Sequence, residues 1–284
     1  MGRTSPIGTA IDPDLMRIRQ TGLRAILSLS LLFAASQVLA ETNGLWFPVG
    51  EELDYSLYWG VLTVGETHIK TAWIEEGGRK LLAIRFSAKS SMIVSAIFPV
   101  DDLMESVVDP ETFLPVRFTQ RIREGDKKRD DILIFDYNAG KARWQVDDPA
   151  STNSAAEIAI EQDTRDILCF MYYMRSKGFA AGTTNTFQVL VDDKVYKLTV
   201  AGLKVQDVYL SHFGDVRCIE LEPKAQFGEV FVRKGSVNMW VSDDERRLCA
   251  KALAIVPVAN VKMVLQTVSG PGVDFWTIGK RKNR

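Results

Sequence analysis

The sequence predicts a mainly β fold: a curved antiparallel sheet or open β-barrel of about a dozen strands, with one buried helix over residues 163–177. Three observations predict it. Apolar and polar residues alternate in many short segments, which places every second side chain on one face of a strand. Gly, Asp, Asn or Pro separates these segments at about the 8–12-residue spacing typical of sandwiches and barrels. One stretch near mid-chain changes to the helical period instead.

The first strands are predicted over residues 50–109. Leu53, Tyr55 and Leu57 alternate with polar residues in the first of them. Gly60 and Gly65 interrupt the following strand-like run, which indicates a bulge or a tight hairpin. Further alternating segments cover residues 67–73, 82–88 and 104–109.

The hairpin over residues 117–135 has a predictable register. Gly125 lies in the turn, where it can supply positive φ to a two-residue loop. That register sets Arg121 opposite Asp130, as a cross-strand ion pair, and Arg123 opposite Lys128. Residues 132–135 are apolar at every position, so this strand is predicted to be covered on both faces.

The helix is predicted from a face of apolar residues at i, i+3, i+4 and i+7: Ile167, Phe170, Met171 and Met174. Asp163 or Thr164 can cap its N-terminus, and Gly178 is a natural residue to follow its C-terminus. The opposite face is apolar in its middle, so we expect the helix to lie buried on the sheet. Alternatively, the helix closes one mouth of a curved sheet and directs the hydroxyl of Tyr172 or Tyr173 into a cavity.

Alternation returns after the helix and continues to residue 268, whereas residues 147–162 before it are predicted to be an exposed connection. There is neither an internal repeat nor a linker composition, so residues 41–278 are predicted to form a single β-rich domain. The tail over residues 279–284 is basic and predicted to be disordered.

Residues 1–40 have the pattern of a secretory signal peptide. Arginines precede an apolar run over residues 25–35, and a small-x-small motif predicts cleavage after Ala40. Met16 would begin a signal of ordinary length and is an alternative start. The apolar run is about half of the roughly 20 residues that a membrane span needs. We therefore expect a periplasmic or extracellular protein with no integral span in the mature chain.

Composition excludes some functions. Removal of residues 1–40 takes away four Arg and two Asp, leaving 31 basic against 34 acidic residues, a net charge of −3. Nucleic-acid binding needs a strongly basic face, so it is not expected. The three cysteines, Cys169, Cys218 and Cys249, lack metal-ligand spacing. A Cys218–Cys249 disulfide would suit an oxidising compartment, and buried free thiols are the alternative.

The sequence offers no catalytic set and no metal or cofactor motif. His68 and His212 each stand alone, and there is neither a nucleophile elbow nor a phosphate-binding loop. Acidic pairs occur at four positions: Asp101-Asp102, Asp130-Asp131, Asp192-Asp193 and Asp243-Asp244. All lie at strand ends or turns, where aspartate is favoured by its own backbone hydrogen bonds.

Candidate ligand-binding residues are arginines and aromatic residues. Arg117 and Arg121 share one strand face; this face is either solvated and paired with aspartates or a site for a carboxylate, phosphate or lipid headgroup. Trp59 and Trp240 lie near polar or glycine residues and either stack on a sugar or acyl chain or fill the core.

Several segments together resemble the bacterial exported family called domain of unknown function 3108. They cover about residues 48–268 and comprise Gly50–Tyr55, Trp59-Gly60, Val64-Gly65, Asp101-Asp102, Glu105-Ser106, Leu114–Phe118, Arg121, Glu124-Gly125, Phe135-Asp136, Gln162–Arg175, Lys234-Gly235 and Trp240–Leu248. The resemblance implies export to the envelope and a β-rich fold, and it implies no established activity.

Three functions are compatible with these observations. The first is a non-enzymatic, barrel-like binder of an amphipathic envelope ligand, a lipid or glycan, held in the concavity closed by the helix. The second is a structural or assembly factor that acts through protein contacts. The third is an envelope hydrolase, which needs two carboxylates converging in a cleft.

Overall fold

The structure, a computed structural model, describes residues 44–146, 155–227, 230–231, 236–256 and 259–278. These residues form one sheet of sixteen strands. The strands are β1 Glu52–Trp59, β2 Leu62–Glu76, β3 Arg79–Ser90, β4 Asp101–Asp109, β5 Leu114–Glu124, β6 Lys127–Asp136, β7 Lys141–Val146, β8 Ala155–Ala159, β9 Arg165–Asp166, β10 Thr184–Val191, β11 Lys194–Leu210, β12 Gly214–Phe227, β13 Val230–Phe231, β14 Ser236–Ser242, β15 Cys249–Val256 and β16 Ala259–Ser269. The helices are α1 Met92–Ser95, α2 Ile167–Arg175 and α3 Phe275–Ile278.

The sheet is antiparallel throughout except where β9 pairs with β10 in parallel. Its order runs from β8 back to β1, across to β16, and then through β15, β14, β12, β11 and β10 to β9. The pairing of β1 with β16 therefore places both ends of the domain in the middle of the sheet. The two edge strands, β8 and β9, do not pair in the described part of the chain. The predicted curved antiparallel sheet or open barrel is confirmed.

The strand number is higher than the predicted dozen. Two of the extra strands, β9 and β13, are only two residues long. β8 lies inside the predicted connection over residues 147–162, where it pairs with β7 at the edge of the sheet. Short, alanine-rich edge strands have little alternation to reveal them.

The register of β5 and β6 is the predicted one. Gly125 has φ of +56°, Arg121 lies opposite Asp130, and Arg123 lies opposite Lys128. The ion pair differs: Asp130 binds the guanidinium of Arg123 at 2.6 and 2.8 Å. Arg121 reaches across to Asp101 on β4 at 3.4 Å. A guanidinium fork can span the diagonal to a next-nearest position, so register alone does not decide the partner.

Helix α2 is shorter than the predicted 163–177 at both ends. Arg165 and Asp166 are extended because they pair with Val189 and Leu190 of β10. Asp166 is therefore the N-cap, and its carboxylate accepts a hydrogen bond from the amide of Cys169 at 2.9 Å. The helix ends at Arg175, and Gly178 does not adopt positive φ.

The core lies between α2 and the inner face of the sheet. Phe170 and Met174 of the helix are buried against one group of strand residues, with Ile167 and Met171 packed beside them. That group comprises Phe187, Val189, Val200, Ile219, Leu221 and Val241. Leu168, Cys169 and Tyr172 belong to a second, larger cluster, which also contains Phe47 from the segment before β1. The prediction that the helix packs on the inner face of the sheet is confirmed.

The predicted signal peptide over residues 1–40, with cleavage at Ala40, and the predicted basic tail over 279–284 lie outside the described residues. Among the helices of the described ranges, none has the length and apolar character of a membrane span.

Candidate functional site

A groove of about 740 Å³ crosses the face of the sheet opposite α2, here called the outer face. Strand register places its walls. One row of outward side chains is formed by paired residues of β2 to β6, namely His68, Ser87, Leu103, Arg121 and Asp130. The next outward row contains Lys70, Arg85, Glu105, Thr119 and Ile132. The strand segments between the two rows form the floor.

The groove combines apolar surface with a cationic rim. Leu103 is 41% exposed, and Ile132 lies on the neighbouring row. Three cationic side chains surround them: Lys70, Arg85 and Arg121. The outer face of β6, which the sequence predicted to be covered, is therefore open at this place, and Ile134 further along is exposed as well.

Every cation of the groove has an acidic partner, but the partnerships differ in strength. Lys70 meets Glu52 at 2.5 Å, and Arg85 meets Glu105 at 2.7 Å. The contact of Arg121 with Asp101 is 3.4 Å long, between two side chains that are both about half exposed. Arg121 is therefore the least committed guanidinium of the groove.

Arg117 lies one row away from the groove on the same outer face. Its guanidinium contacts Glu76 at 2.9 Å and Glu105 at 3.7 Å. Since Glu105 also binds Arg85, the two arginines share one carboxylate. Arg117 and Arg121 thus belong to one charged surface, but only Arg121 lines the groove.

The interior holds a buried ionic cluster that sequence reasoning did not identify. Glu51, which is 0% exposed, receives two hydrogen bonds from Arg175 at 2.6 and 3.0 Å and one from Arg246 at 2.5 Å. Tyr172 donates its hydroxyl to the same carboxylate at 3.3 Å. Burial alone would raise the pKa of Glu51, but the two guanidinium groups lower it below its usual value.

This cluster joins three distant parts of the chain. Glu51 precedes β1, Arg175 ends helix α2, and Arg246 lies in the turn between β14 and β15. Arg246 also binds Asp274, just before α3, at 2.7 Å. Three of the segments that carried the family resemblance, Gly50–Tyr55, Gln162–Arg175 and Trp240–Leu248, meet here.

Tyr172 and Tyr173 do not reach the outer groove. Tyr172 is buried, with its hydroxyl on Glu51. The ring of Tyr173 lies 3.5 Å from the guanidinium of Arg165 and packs near Trp46 and Phe113. Aromatic and helical side chains therefore occupy the part of the concavity around these two tyrosines.

Trp59 and Trp240 lie in two further places. Trp59 is exposed at the end of β1, beside the β1–β2 turn. Trp240 is buried, and the ammonium of Lys251 lies 4.2 Å from its ring. It lines a separate cavity of about 460 Å³, which the end of β11 forms with β1, β15 and β16.

The structure has Cys218 and Cys249 as free thiols. Cys218 pairs with Ser242 and Cys249 with Val241, so strand β14 lies between them. Two strand spacings are about 9–10 Å, beyond the roughly 4.4–6.8 Å that a disulfide allows between Cα atoms. Burial raises the pKa of both thiols to about 12.

The two aspartates of each acidic pair do not converge with one another. Asp101 and Asp130 point outward, each to an arginine, whereas Asp102 accepts from the Arg123 amide and Asp131 from Gln120. Neighbouring residues of a strand point to opposite faces, so neither pair can share a cleft. At the turns, Asp192 binds Arg129 and Asp243 binds Arg217. No group of three or more potential metal ligands occurs in the ranges that the structure describes.

These features define a class: an open, barrel-like antiparallel sheet with a helix on its inner face and a groove on its outer face. The chain belongs to the family described as Protein of unknown function (DUF3108), whose model matches residues 54–266.

A solved structure supports the fold alone. A beta-barrel-like protein of domain of unknown function DUF1849 from Brucella abortus is 12% identical with a TM-score of 0.56, covering 79% of this chain and 99% of its own. A "putative lipoprotein" from Parabacteroides distasonis is 6% identical with a TM-score of 0.31, covering 79% of this chain and 98% of its own. No curated protein matches the chain.

Proposed function

We propose that the protein is a non-enzymatic binder of an amphipathic anion of the cell envelope, a molecule with an acyl chain and a carboxylate or phosphate head. The observation that carries this proposal is the outer groove, in which Leu103 and Ile132 lie beside Arg85 and Arg121. Its volume of about 740 Å³ is within the range of small-molecule sites. The proposed site is on the outer face, whereas the sequence suggested the concavity closed by the helix.

A lipid-like ligand fits the lining better than a glycan. Sugars bind by stacking on exposed aromatic faces, and the only aromatic residue of the groove, Phe86, belongs to an inward row. The aliphatic side chains suit an acyl chain, whereas a guanidinium suits a carboxylate or phosphate. Arg121 is the residue expected to receive the head group, because a ligand need displace only its weak contact with Asp101.

Displacement of a dansyl-labelled undecanoic acid tests the proposal, with all competitors below their micelle concentrations. Dodecyl phosphate is expected to compete, whereas inorganic phosphate and dodecyl maltoside, which lack the chain or the charge, compete weakly. Arg121→Gln should weaken probe binding by roughly tenfold, the value of about one charge-assisted hydrogen bond. The matched control is Arg143→Gln. Arg143 also lies on the outer face, on β7, and its contact with Glu157 is 3.9 Å long. Equal affinities of the two variants would refute the groove as the site.

A second candidate is an assembly factor, which the edge of β8 favours. Within the described ranges, β8 pairs only with β7, so its other side offers unpaired backbone groups to a partner strand. Photo-crosslinking in cells from position 157 on β8 tests it, with position 204 on β11 as the control. A discrete crosslinked partner from position 157 alone supports this candidate, and identical patterns from both positions contradict it.

A further inference from the structure

Large apolar side chains are exposed together at one end of the sheet, here called the apolar end. Val61 is 101% exposed, Met92 91% and Ile97 86%. Four others complete the surface: Trp59, Leu62, Ile93 and Phe98. A contiguous apolar surface of this kind is rare on a soluble monomer unless it contacts something else.

Two loops form this end, and hydrogen bonds hold them side by side. One is the β1–β2 turn, and the other contains α1. The amide of Ser91 donates to the carbonyl of Val64 at 2.8 Å, which ties the second loop to β2. Within that loop, the hydroxyls of Ser90 and Ser95 lie 2.6 Å apart, and Ser90 accepts from the amide of Val100 at 2.9 Å. The apolar side chains are therefore presented by an ordered loop, at a small entropic cost of binding.

The arrangement suits a bilayer better than a protein groove. The most exposed side chains, Val61, Met92 and Ile97, are aliphatic or thioether, whereas the aromatic Trp59 and Phe98 are less exposed. Exposed aliphatic side chains beside a tryptophan match the composition of surfaces that insert into membrane interfaces, where tryptophan lies at the head-group level. Their exposure shows that these side chains protrude, and in the described part of the chain they line none of five cavities of about 310 to 740 Å³.

The charges around this end decide which lipids it should prefer. Lysines 89, 127 and 128 lie near it, but so do the acidic residues 66, 101, 124 and 126. Lys127 meets Glu124 at 3.6 Å, and Arg121 meets Asp101. The surroundings are not basic, so attraction to anionic lipids contributes little. We propose that the apolar end docks on a lipid bilayer by insertion of the two loops, independently of head-group charge. This inference does not depend on the groove.

Sedimentation with sucrose-loaded vesicles tests it. The exported chain is used, with its N-terminus established by mass spectrometry so that an uncleaved apolar leader cannot bind lipid. Vesicles contain phosphatidylcholine with or without phosphatidylglycerol. Binding to both, with little dependence on salt, is expected. Met92→Ser with Ile97→Ser should lower the partition coefficient by at least about tenfold, because two buried side chains are lost.

The matched control is Val273→Ser with Ile278→Ser, which removes two exposed apolar side chains elsewhere on the surface. Circular dichroism establishes that both variants are folded. Failure to bind either vesicle, binding that needs phosphatidylglycerol, or equal loss in both variants would overturn the proposal. Self-association of the wild type that Met92→Ser with Ile97→Ser abolishes, without vesicle binding, would also overturn it and would assign the apolar end to a second copy of the chain.

Discussion

Replacement of Glu51 by glutamine should be the most destabilising single change of charge in the described part of the protein. The carboxylate is fully buried and accepts hydrogen bonds from Arg175, Arg246 and Tyr172. The side chains of the two arginines are only 7% and 10% exposed. Glutamine keeps the shape and one acceptor oxygen but leaves two guanidinium charges in the interior without a counter-charge.

The magnitude follows from that loss. Removing one partner of a buried ion pair typically costs about 3–5 kcal/mol, because the other charge stays buried. The retained amide oxygen offsets part of this, and the second arginine adds to it, so we expect a loss of about 3–5 kcal/mol in the free energy of unfolding. For a domain of this size, that is a fall of about 10 °C in Tm.

Urea unfolding followed by tryptophan fluorescence measures the effect. The control is Glu52→Gln, the same change at the next residue, whose pair with Lys70 is partly exposed and contributes about 1 kcal/mol or less. The wild type should also lose stability as the pH falls below about 4.5, because the lowered pKa of Glu51 means that the unfolded state takes up a proton before the native state does. Glu51→Gln should lack this part of the pH profile. A loss in Glu51→Gln no larger than that in Glu52→Gln would refute the reasoning.

Three further outcomes follow from the structure. Burial raises the pKa of Asp166 to about 6, so the native state binds an extra proton below that pH, and stability falls as the pH rises from about 4 to 6. Asp166→Asn still caps α2 and should reduce that fall. Parallel pH profiles of urea stability for wild type and variant would contradict this. Cys218 and Cys249 should react slowly with a thiol reagent at pH 8 in the native protein and fast in urea, since burial raises the pKa of each thiol to about 12. Fast labelling of both thiols in the native protein would contradict this prediction. Gly65→Ala should lower the free energy of unfolding by at least about 1 kcal/mol, because the new Cβ would lie 2.5 Å from the carbonyl oxygen of Lys89. Gly178→Ala has open space around it and should be nearly neutral, so equal urea midpoints for the two variants would argue against the close approach.

Sequence patterns predicted the features of the fold that depend on residues close together in the chain. Alternation identified most strands, and the glycines at 125 and 140 marked hairpin turns where the structure has positive φ. Turn length fixes the register of a hairpin, so the position of Arg121 opposite Asp130 followed from the sequence, although their ion pair did not form. The helix was identifiable because Ile167, Phe170, Met171 and Met174 recur at helical spacing.

Contacts between residues far apart in the chain determined the features that sequence patterns did not predict. Asp163 and Thr164 are good helix caps, but the pairing of Arg165 and Asp166 with β10 keeps the backbone extended for longer. The partner of Asp130 depended on Asp101 of β4, which attracts Arg121 from the other side. The groove arises only where side chains from five strands lie in adjacent rows, so no single segment carries its signature.

The buried cluster changes where function should be sought. Three of the segments on which the family resemblance rests meet at Glu51, Arg175 and Arg246, and these side chains are shielded from solvent. A charge network in such a place cannot contact a soluble ligand, but it fixes the position of α2 relative to β1 and to the β14–β15 turn. An interior charge network of this kind stabilises a scaffold, and a binding site would lie on the surface that the scaffold supports. The outer groove and the apolar end are both surface features, and Asp101, between Phe98 and Leu103, lies where the two meet. A ligand that leaves a bilayer at the apolar end would have only a short distance to cover before it reached Arg121.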